Sequence, residues 1–303
     1  MKTMKNILIT GATGNVGMEV IQSLNKLDHK FQIFAGVRNL EKDRVGLLEF
    51  QIQTVHFDFN DINTFKPALD HCDILFLLRP PQLSDVNKYF KPLINSAVIC
   101  GVKHIVFLSV QGVEKSTIIP HHKIEKLIVG SKIPFTFLRP AYFMQNFTTT
   151  LLNDILINTR IFLPAGKAKF TLINVVDIGK VAAKILIKTE NHLNKLYELT
   201  NHEKLTFVEM TAKLSKGLNT EIIYESPNLI RFFINKRNTK MPIMLIFVMI
   251  MLHYLPRFQK EPETTDWVKR ITNQEPTTFD EFIIDNKQIL NPETNMKSVK
   301  KFK

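Results

Sequence analysis

Short runs of consecutive apolar residues recur through the first half of the chain, and between them apolar positions repeat at helical spacing. Lys5–Thr10, Phe31–Val37, Thr54–Phe57, Asp73–Leu78, His104–Val110 and Phe135–Leu138 read as strands. They are apolar along their length instead of alternating, the pattern of strands buried on both faces. Val16–Leu27, Asn63–Leu69, Val86–Cys100 and His121–Val129 read as helices. Asp61 suits the cap of the second, and Gly101 and Gly130 the ends of the last two. Strands separated by helices require right-handed crossovers and a parallel sheet. The fold expected for residues 1–150 is therefore α/β, a doubly wound parallel Rossmann sheet.

The second half is less regular. Leu172–Lys188 predicts a strand end followed by a helix, and Leu196–Thr200 a further strand. These return the chain to the first domain around residues 172–200. The remainder of 151–303 is expected to form a smaller C-terminal substrate-binding lobe. Within it, Met241–Leu255 is almost wholly apolar and is bounded by Lys240 and Arg257. It is shorter than the roughly 20 residues that a membrane span needs. The pattern predicts a buried helix of the lobe, ahead of a pocket wall for an apolar ligand and of contact with a membrane surface.

Composition excludes several classes. With 303 residues, 45% hydrophobic and 22% charged, the chain can bury a large core. It is not disordered, collagenous or a disulfide scaffold. The net charge of +12 suits an anionic ligand. It argues little for nucleic acid, because the lysines are dispersed and the one dense cluster, Lys297–Lys303, reads as a solvated end. Cys72 and Cys100 sit in apolar company, as buried thiols of a reducing cytosol do. The first ten residues do not read as a signal peptide, so the expected location is cytoplasmic. The nine histidines show no metal-ligand spacing, and no metal site is expected.

The informative stretch is Ile7–Gly17, where a strand runs into three glycines spaced three apart and a helix follows. Gly11 permits the tight turn, Gly14 lets a pyrophosphate approach the backbone, and Gly17 lets helix and sheet pack closely. Thr13, Asn15 and Val16 complete the loop. The free N–H groups and positive end of that helix favour phosphate. NAD-binding folds place an acid at the end of the second strand. Here the strand ends in Arg38, with Lys42 close behind, a pair suited to the 2′-phosphate of NADP(H).

Further stretches strengthen this reading. They are Thr10–Gly17, Val37–Asn39, His56–Asn60, Gly101–Val106, Pro134–Pro140 and Asn174–Ala182. Through them the chain resembles the NmrA-like, atypical branch of the short-chain dehydrogenase/reductase superfamily over about residues 4–200. The resemblance implies NADP(H) as cofactor. It implies that Asp58 and Phe59 flank the adenine, and that Leu78 and Arg79 run past the ribose and nicotinamide. Tyr142 and Phe143 follow the sixth strand where the family chain passes the nicotinamide. Tyr142, Met144 and Asn146 could line a substrate pocket. The superfamily's proton relay is a serine with a Tyr-x-x-x-Lys pair. Ser109 stands at the serine position, but the tyrosine is absent: His122 and Lys126 occupy the two places. A histidine can act as the acid, and Lys126 can hold the nicotinamide ribose. Two readings follow. The first is an NADPH-dependent reductase of a small aromatic or quinone-like compound. The second is a non-catalytic NADP(H)-sensing regulator that binds a protein partner. A homodimer fits either, and neither is an integral membrane protein.

Overall fold

The computed structural model describes residues 5–50 and 52–292; the basic cluster Lys297–Lys303 lies outside them. The chain divides into two compact units. The first takes the residues up to Pro140, then Val175–Leu199 and Trp267–Glu275. The second takes Ala141–Asn174, Thr200–Asp266 and the described residues from Pro276 onward.

The first unit is built on a seven-stranded sheet. Its strands are β1 (Lys5–Ile9), β2 (Phe31–Val37), β3 (Gln53–His56), β4 (Ile74–Leu78), β5 (His104–Leu108), β6 (Phe135–Pro140) and a seventh at Lys195–Leu199. The order is seventh strand, β6, β5, β4, β1, β2, β3, and every pairing is parallel. The order reverses between β1 and β4, which opens a crevice beyond their carboxyl ends, where ligands of such sheets bind. Crossovers are made by α1 (Asn15–Asn25), α2 (Leu40–Val45), α3 (Phe65–Leu69), α4 (Val86–Ile99) and α5 (Pro120–Gly130). β5 is buried at every position, including His104, whose Nε2 meets the Thr136 hydroxyl at 2.9 Å. On one face of the sheet Phe65, Phe90, Leu93, Phe107, Ile124 and Ile128 form a continuous core. On the other, α1 lies against helix Val175–Ile187 so closely that a Cβ on Gly179 would stand 2.6 Å from the Glu19 carbonyl oxygen.

Several expectations shift. Gly130 does not end α5; it stays helical, Ser131 is the cap, and Lys132 takes the left-handed turn at φ 61°. The segment expected as one helix at Asn63–Leu69 begins as a 3-10 turn capped by Asp61, which accepts from Asn63 N, and continues as α3. Cys72 is buried, and burial pushes its thiol up to about 12, whereas Cys100 is only partly buried.

The second unit carries short strands at Tyr142–Phe143, Lys169–Ile173 and Lys204–Thr206, and a separate pair at Arg160–Phe162 and Ile223–Glu225. Its core gathers Phe147, Phe162, Phe207, Phe232, Phe279 and Phe282 around Met144 and Leu172. Met241–Leu255 does form a helix, Ile243–Tyr254, but the expectation that it is buried fails. Only Ile246, Met249 and His253 are covered, because a helix apolar on every side can offer the core just one of them.

Candidate functional site

The carboxyl ends of β1 and β4 are stitched together by Thr10. Its N–H donates to the Phe76 carbonyl at 3.0 Å, and its hydroxyl accepts from Leu78 N at 2.9 Å. The chain then turns at Gly11, whose φ of +61° is left-handed; a Cβ there would also meet Leu78 at 3.2 Å. Gly14 N donates to the Gly11 carbonyl at 3.0 Å, which closes the turn. Gly14 is the N-cap of α1 and supplies no side-chain cap, so the first-turn N–H groups keep their donor capacity. Gly17 is the tightest position: a Cβ would lie 2.2 Å from the Gly11 carbonyl oxygen and 2.8 Å from Ala12 Cα. Thr13, Gly14 and Asn15 are exposed at the mouth of the loop, while Val16 turns its side chain inward and offers only its backbone. This is a cradle of backbone donors at a positive helix end, shaped for a diphosphate.

At the end of β2, Arg38 and Lys42 are exposed, and neither has an ionic partner among the described residues. Asn39 between them caps α2, its Oδ1 accepting from Glu41 N at 3.1 Å and Lys42 N at 2.9 Å. An anion at this strand end meets two cations on an ordered turn. Asp58 accepts from Asn60 N at 2.9 Å, forming a turn at the end of β3. The Phe59 ring is committed to the core, packed edge-on to Phe57 at 4.9 Å and against Phe90 at 5.3 Å. Only its backbone can flank a ligand.

Beyond β4, Arg79 braces the following loop. Its Nη1 donates to the carbonyls of Pro80, Pro81 and Leu83, and its Nε donates to His121 Nε2 at 3.2 Å. Burial lowers the guanidinium to about 10. Burial, then Arg79's charge, press His121 down to about 3, so this ring is neutral at physiological pH. His122 is held differently. Its Nδ1 donates to the Val113 carbonyl at 3.2 Å, leaving Nε2 buried without a hydrogen-bond partner. Ser109, at the end of β5, is also buried with its hydroxyl unpartnered. Buried polar atoms left in this way are uncommon and call for a role. Lys126, one turn beyond His122 on α5, is exposed.

Beneath these residues lies a pair the sequence reading missed. Arg139 of β6 grips Glu125 of α5 through two bonds, Nε to Oε1 at 3.1 Å and Nη2 to Oε2 at 2.7 Å, and reaches Glu114 at 3.2 Å. Burial disfavours the Arg139 charge, yet Glu125, with Glu114 and Glu198, raises its pKa overall. The only hint in the sequence is that Arg139 directly follows the apolar run Phe135–Leu138, where a buried arginine needs a carboxylate facing it; the partner itself is not legible.

The residues expected on the substrate side belong to the second unit. The Tyr142 hydroxyl donates to His253 Nε2 at 3.1 Å, and its ring stands edge-on to Phe170 at 5.6 Å and Phe207 at 5.9 Å. His253 Nδ1 donates to the Met249 carbonyl, and burial lowers this ring to about 4. Burial raises the Tyr142 phenol, a shift partly opposed by its bond to Asn146. Phe143 is partly exposed. Met144 is corrected: it is fully buried in the unit's core beside Phe147 and Leu151, and has no surface left for a substrate.

The chain is similar in sequence and fold to known proteins. The chain is 29% identical to prestalk A differentiation protein A of Dictyostelium discoideum over 92% of each chain. It is 29% identical to quinone oxidoreductase 2 of Escherichia coli, covering 73% of this chain and 77% of that one. The triphenylmethane reductase of Citrobacter sp., solved in complex with NADP(H), superposes with a TM-score of 0.82 at 25% identity, covering 93% of this chain and 99% of that one. Matched from residue 3 to residue 283, the chain belongs to the NmrA-like family.

Proposed function

We propose that this protein is an NADPH-dependent reductase of a small aromatic or quinone-like compound. The observation that carries the reading is the uncapped N-terminus of α1. It sits at the reversal of strand order, behind a turn that only glycine accommodates, with two cations at the neighbouring strand end that have no ionic partner among the described residues. The α1 backbone would hold the pyrophosphate, and Arg38 with Lys42 the 2′-phosphate. The names of two relatives, a quinone oxidoreductase and a triphenylmethane reductase, support hydride chemistry on flat, conjugated compounds.

When bound, the nicotinamide supplies the hydride. The protein's part is to orient and to provide a proton. His122 is the residue equipped for it: with Nδ1 committed to Val113, the proton it gains and gives resides on Nε2. Ser109 can offer its free hydroxyl to a substrate oxygen. Burial, with the Arg79 charge beside it, holds His121 neutral, so His121 acts as scaffold and not as acid.

The test is to mix the purified protein with NADPH and a panel of quinones and azo or triarylmethane dyes, and to follow loss of the reduced-nicotinamide absorbance. Turnover of one class is expected. Tight NADPH binding with no oxidation across the panel would refute reduction and favour a cofactor-sensing regulator.

A further inference from the structure

The second unit exposes an apolar surface that neither its core nor the proposed reductase chemistry uses. Helix Ile243–Tyr254 turns Ile246, Met249 and His253 inward. On its opposite side Met244 is 65% exposed, Phe247 52%, Met251 45% and Leu252 53%, and the stripe continues through Leu255 to Phe258, 72% exposed. These positions recur at helical spacing, so they form one continuous stripe. Phe247 meets Phe233 of helix Leu229–Asn238 at 6.1 Å, and that helix places Ile230, Phe233, Ile234 and Arg237 on one face. Contiguous apolar surface of this kind marks an interaction site.

Charge identifies the occupant. Residues 226–260 contain six lysines and arginines and no aspartate or glutamate. Three of the six are neutralised: Arg231 by Glu225, Lys236 by Asp154 and Lys260 by Glu263. Arg237, Lys240 and Arg257 have no ionic partner among the described residues. Arg237 and Lys240 precede the apolar helix and Arg257 follows it, its guanidinium over the rings of Tyr254 at 4.9 Å and Phe258 at 5.9 Å. A second copy of the chain is a poor cover. A two-fold contact would set Arg237, Lys240 and Arg257, the cations of this face with no ionic partner among the described residues, against their own copies. Nor does the helix cross a bilayer: among the described residues none is long and apolar enough. A short apolar helix with cations at both ends and aromatic rings among them suits the boundary between headgroups and acyl chains.

We propose that helices Leu229–Asn238 and Ile243–Tyr254 form a docking face for an anionic lipid bilayer. The apolar stripe enters the boundary, and Arg237, Lys240 and Arg257 meet the headgroup phosphates. The inference rests on the second unit alone and holds whether or not the protein turns over NADPH.

The experiment is flotation of the full chain with vesicles of phosphatidylcholine alone or mixed with phosphatidylglycerol. Capture by the anionic vesicles is expected, at least tenfold tighter than by the neutral ones and weakened by salt. Each unit of charge near such a surface is worth about fivefold in affinity, so Lys240→Glu, which reverses one charge and leaves the apolar stripe intact, should weaken capture about 25-fold. The double variant Met244→Ser with Met251→Ser should abolish it while the thermal melt stays that of the parent. Absence of capture by anionic vesicles, or parent-like capture of Lys240→Glu, would overturn the proposal. So would a dimer in sedimentation that the double methionine variant dissociates, since a second copy would then cover the face. NADPH titration of the same samples reports on the reductase reading separately.

Discussion

The three loop glycines bear different loads, and two single-methyl substitutions should separate them. A Cβ on Gly17 would sit 2.2 Å from the Gly11 carbonyl oxygen and 2.8 Å from Ala12 Cα, both backbone positions. Ordinary contact begins near 3.4 Å, so Gly17→Ala must push α1 more than an ångström from the loop, and no side chain can yield instead. Overpacking of this kind costs about 1–3 kcal/mol. The same displacement moves the donors of the first helical turn, so NADPH binding should weaken with stability. Gly14 differs. A Cβ there would touch only the Gly11 oxygen, at 3.2 Å, and its φ of −85° suits any residue. Gly14→Ala should lower stability by less than about 1 kcal/mol, the scale of an N-cap change. Its methyl nevertheless occupies the surface where the pyrophosphate would lie. Losing one charge-assisted bond there, worth about 1.5–3 kcal/mol, should weaken NADPH roughly tenfold to hundredfold. Urea denaturation and calorimetric titration measure the two quantities on the same preparations. A Gly17→Ala protein as stable as the parent would refute the packing argument. A Gly14→Ala protein that binds NADPH like the parent would mean that the loop does not hold the diphosphate.

Arg38→Ala should weaken NADPH by about tenfold or more and leave NADH almost unchanged, because only the former carries the 2′-phosphate; titration of both cofactors checks this. His122→Gln should lower turnover roughly a hundredfold and leave NADPH affinity near the parent's, and steady-state rates with a calorimetric titration check both. Acid should destabilise the fold through three histidines that burial keeps neutral: His104 and His253 lowered to about 4 and His121 to about 3. The unfolded chain takes up these protons near the reference value of about 6.5 and the folded chain does not. Stability is therefore full above that pH and falls as pH drops toward 4, by up to about 4 kcal/mol per pH unit near pH 5. Urea midpoints from pH 7 to 4.5 test the slope, and a flat profile would contradict the burial of these rings.

The sheet was legible because its signals are local. β4 and β5 are short apolar runs bounded by breakers, and the glycine loop lies between its strand and helix, so neighbouring residues alone identify them. The second strand agrees at both ends, Phe31–Val37. What escaped the sequence reading depends on distant partners. Arg79 binds His121 and Arg139 binds Glu125 across gaps of 42 and 14 residues, which no local pattern records. Trp267–Glu275 belongs to the first unit, because Trp267 packs on Tyr197 at 4.9 Å, yet nothing in its own residues says so. Met144 and the helix Ile243–Tyr254 failed in opposite directions. Apolar character states that a side chain can be buried, and the supply of facing surface decides whether it is.

The interleaving of the two units governs how the protein must be made. β6 gains its outer neighbour only when Lys195–Leu199 has emerged and aligned Leu196 opposite Phe137. Until then, a nascent chain that has finished β6 presents an unpaired apolar edge, open to any other strand. Trp267 arrives later still. The first unit therefore cannot mature as an N-terminal module while the ribosome is working on the rest. Cutting the gene after residue 150 would yield neither a cofactor domain nor a lobe, but a sheet lacking its rim. Pairings so distant in sequence make for slow folding, and synthesis of this chain should lean on whatever shields that rim during the interval.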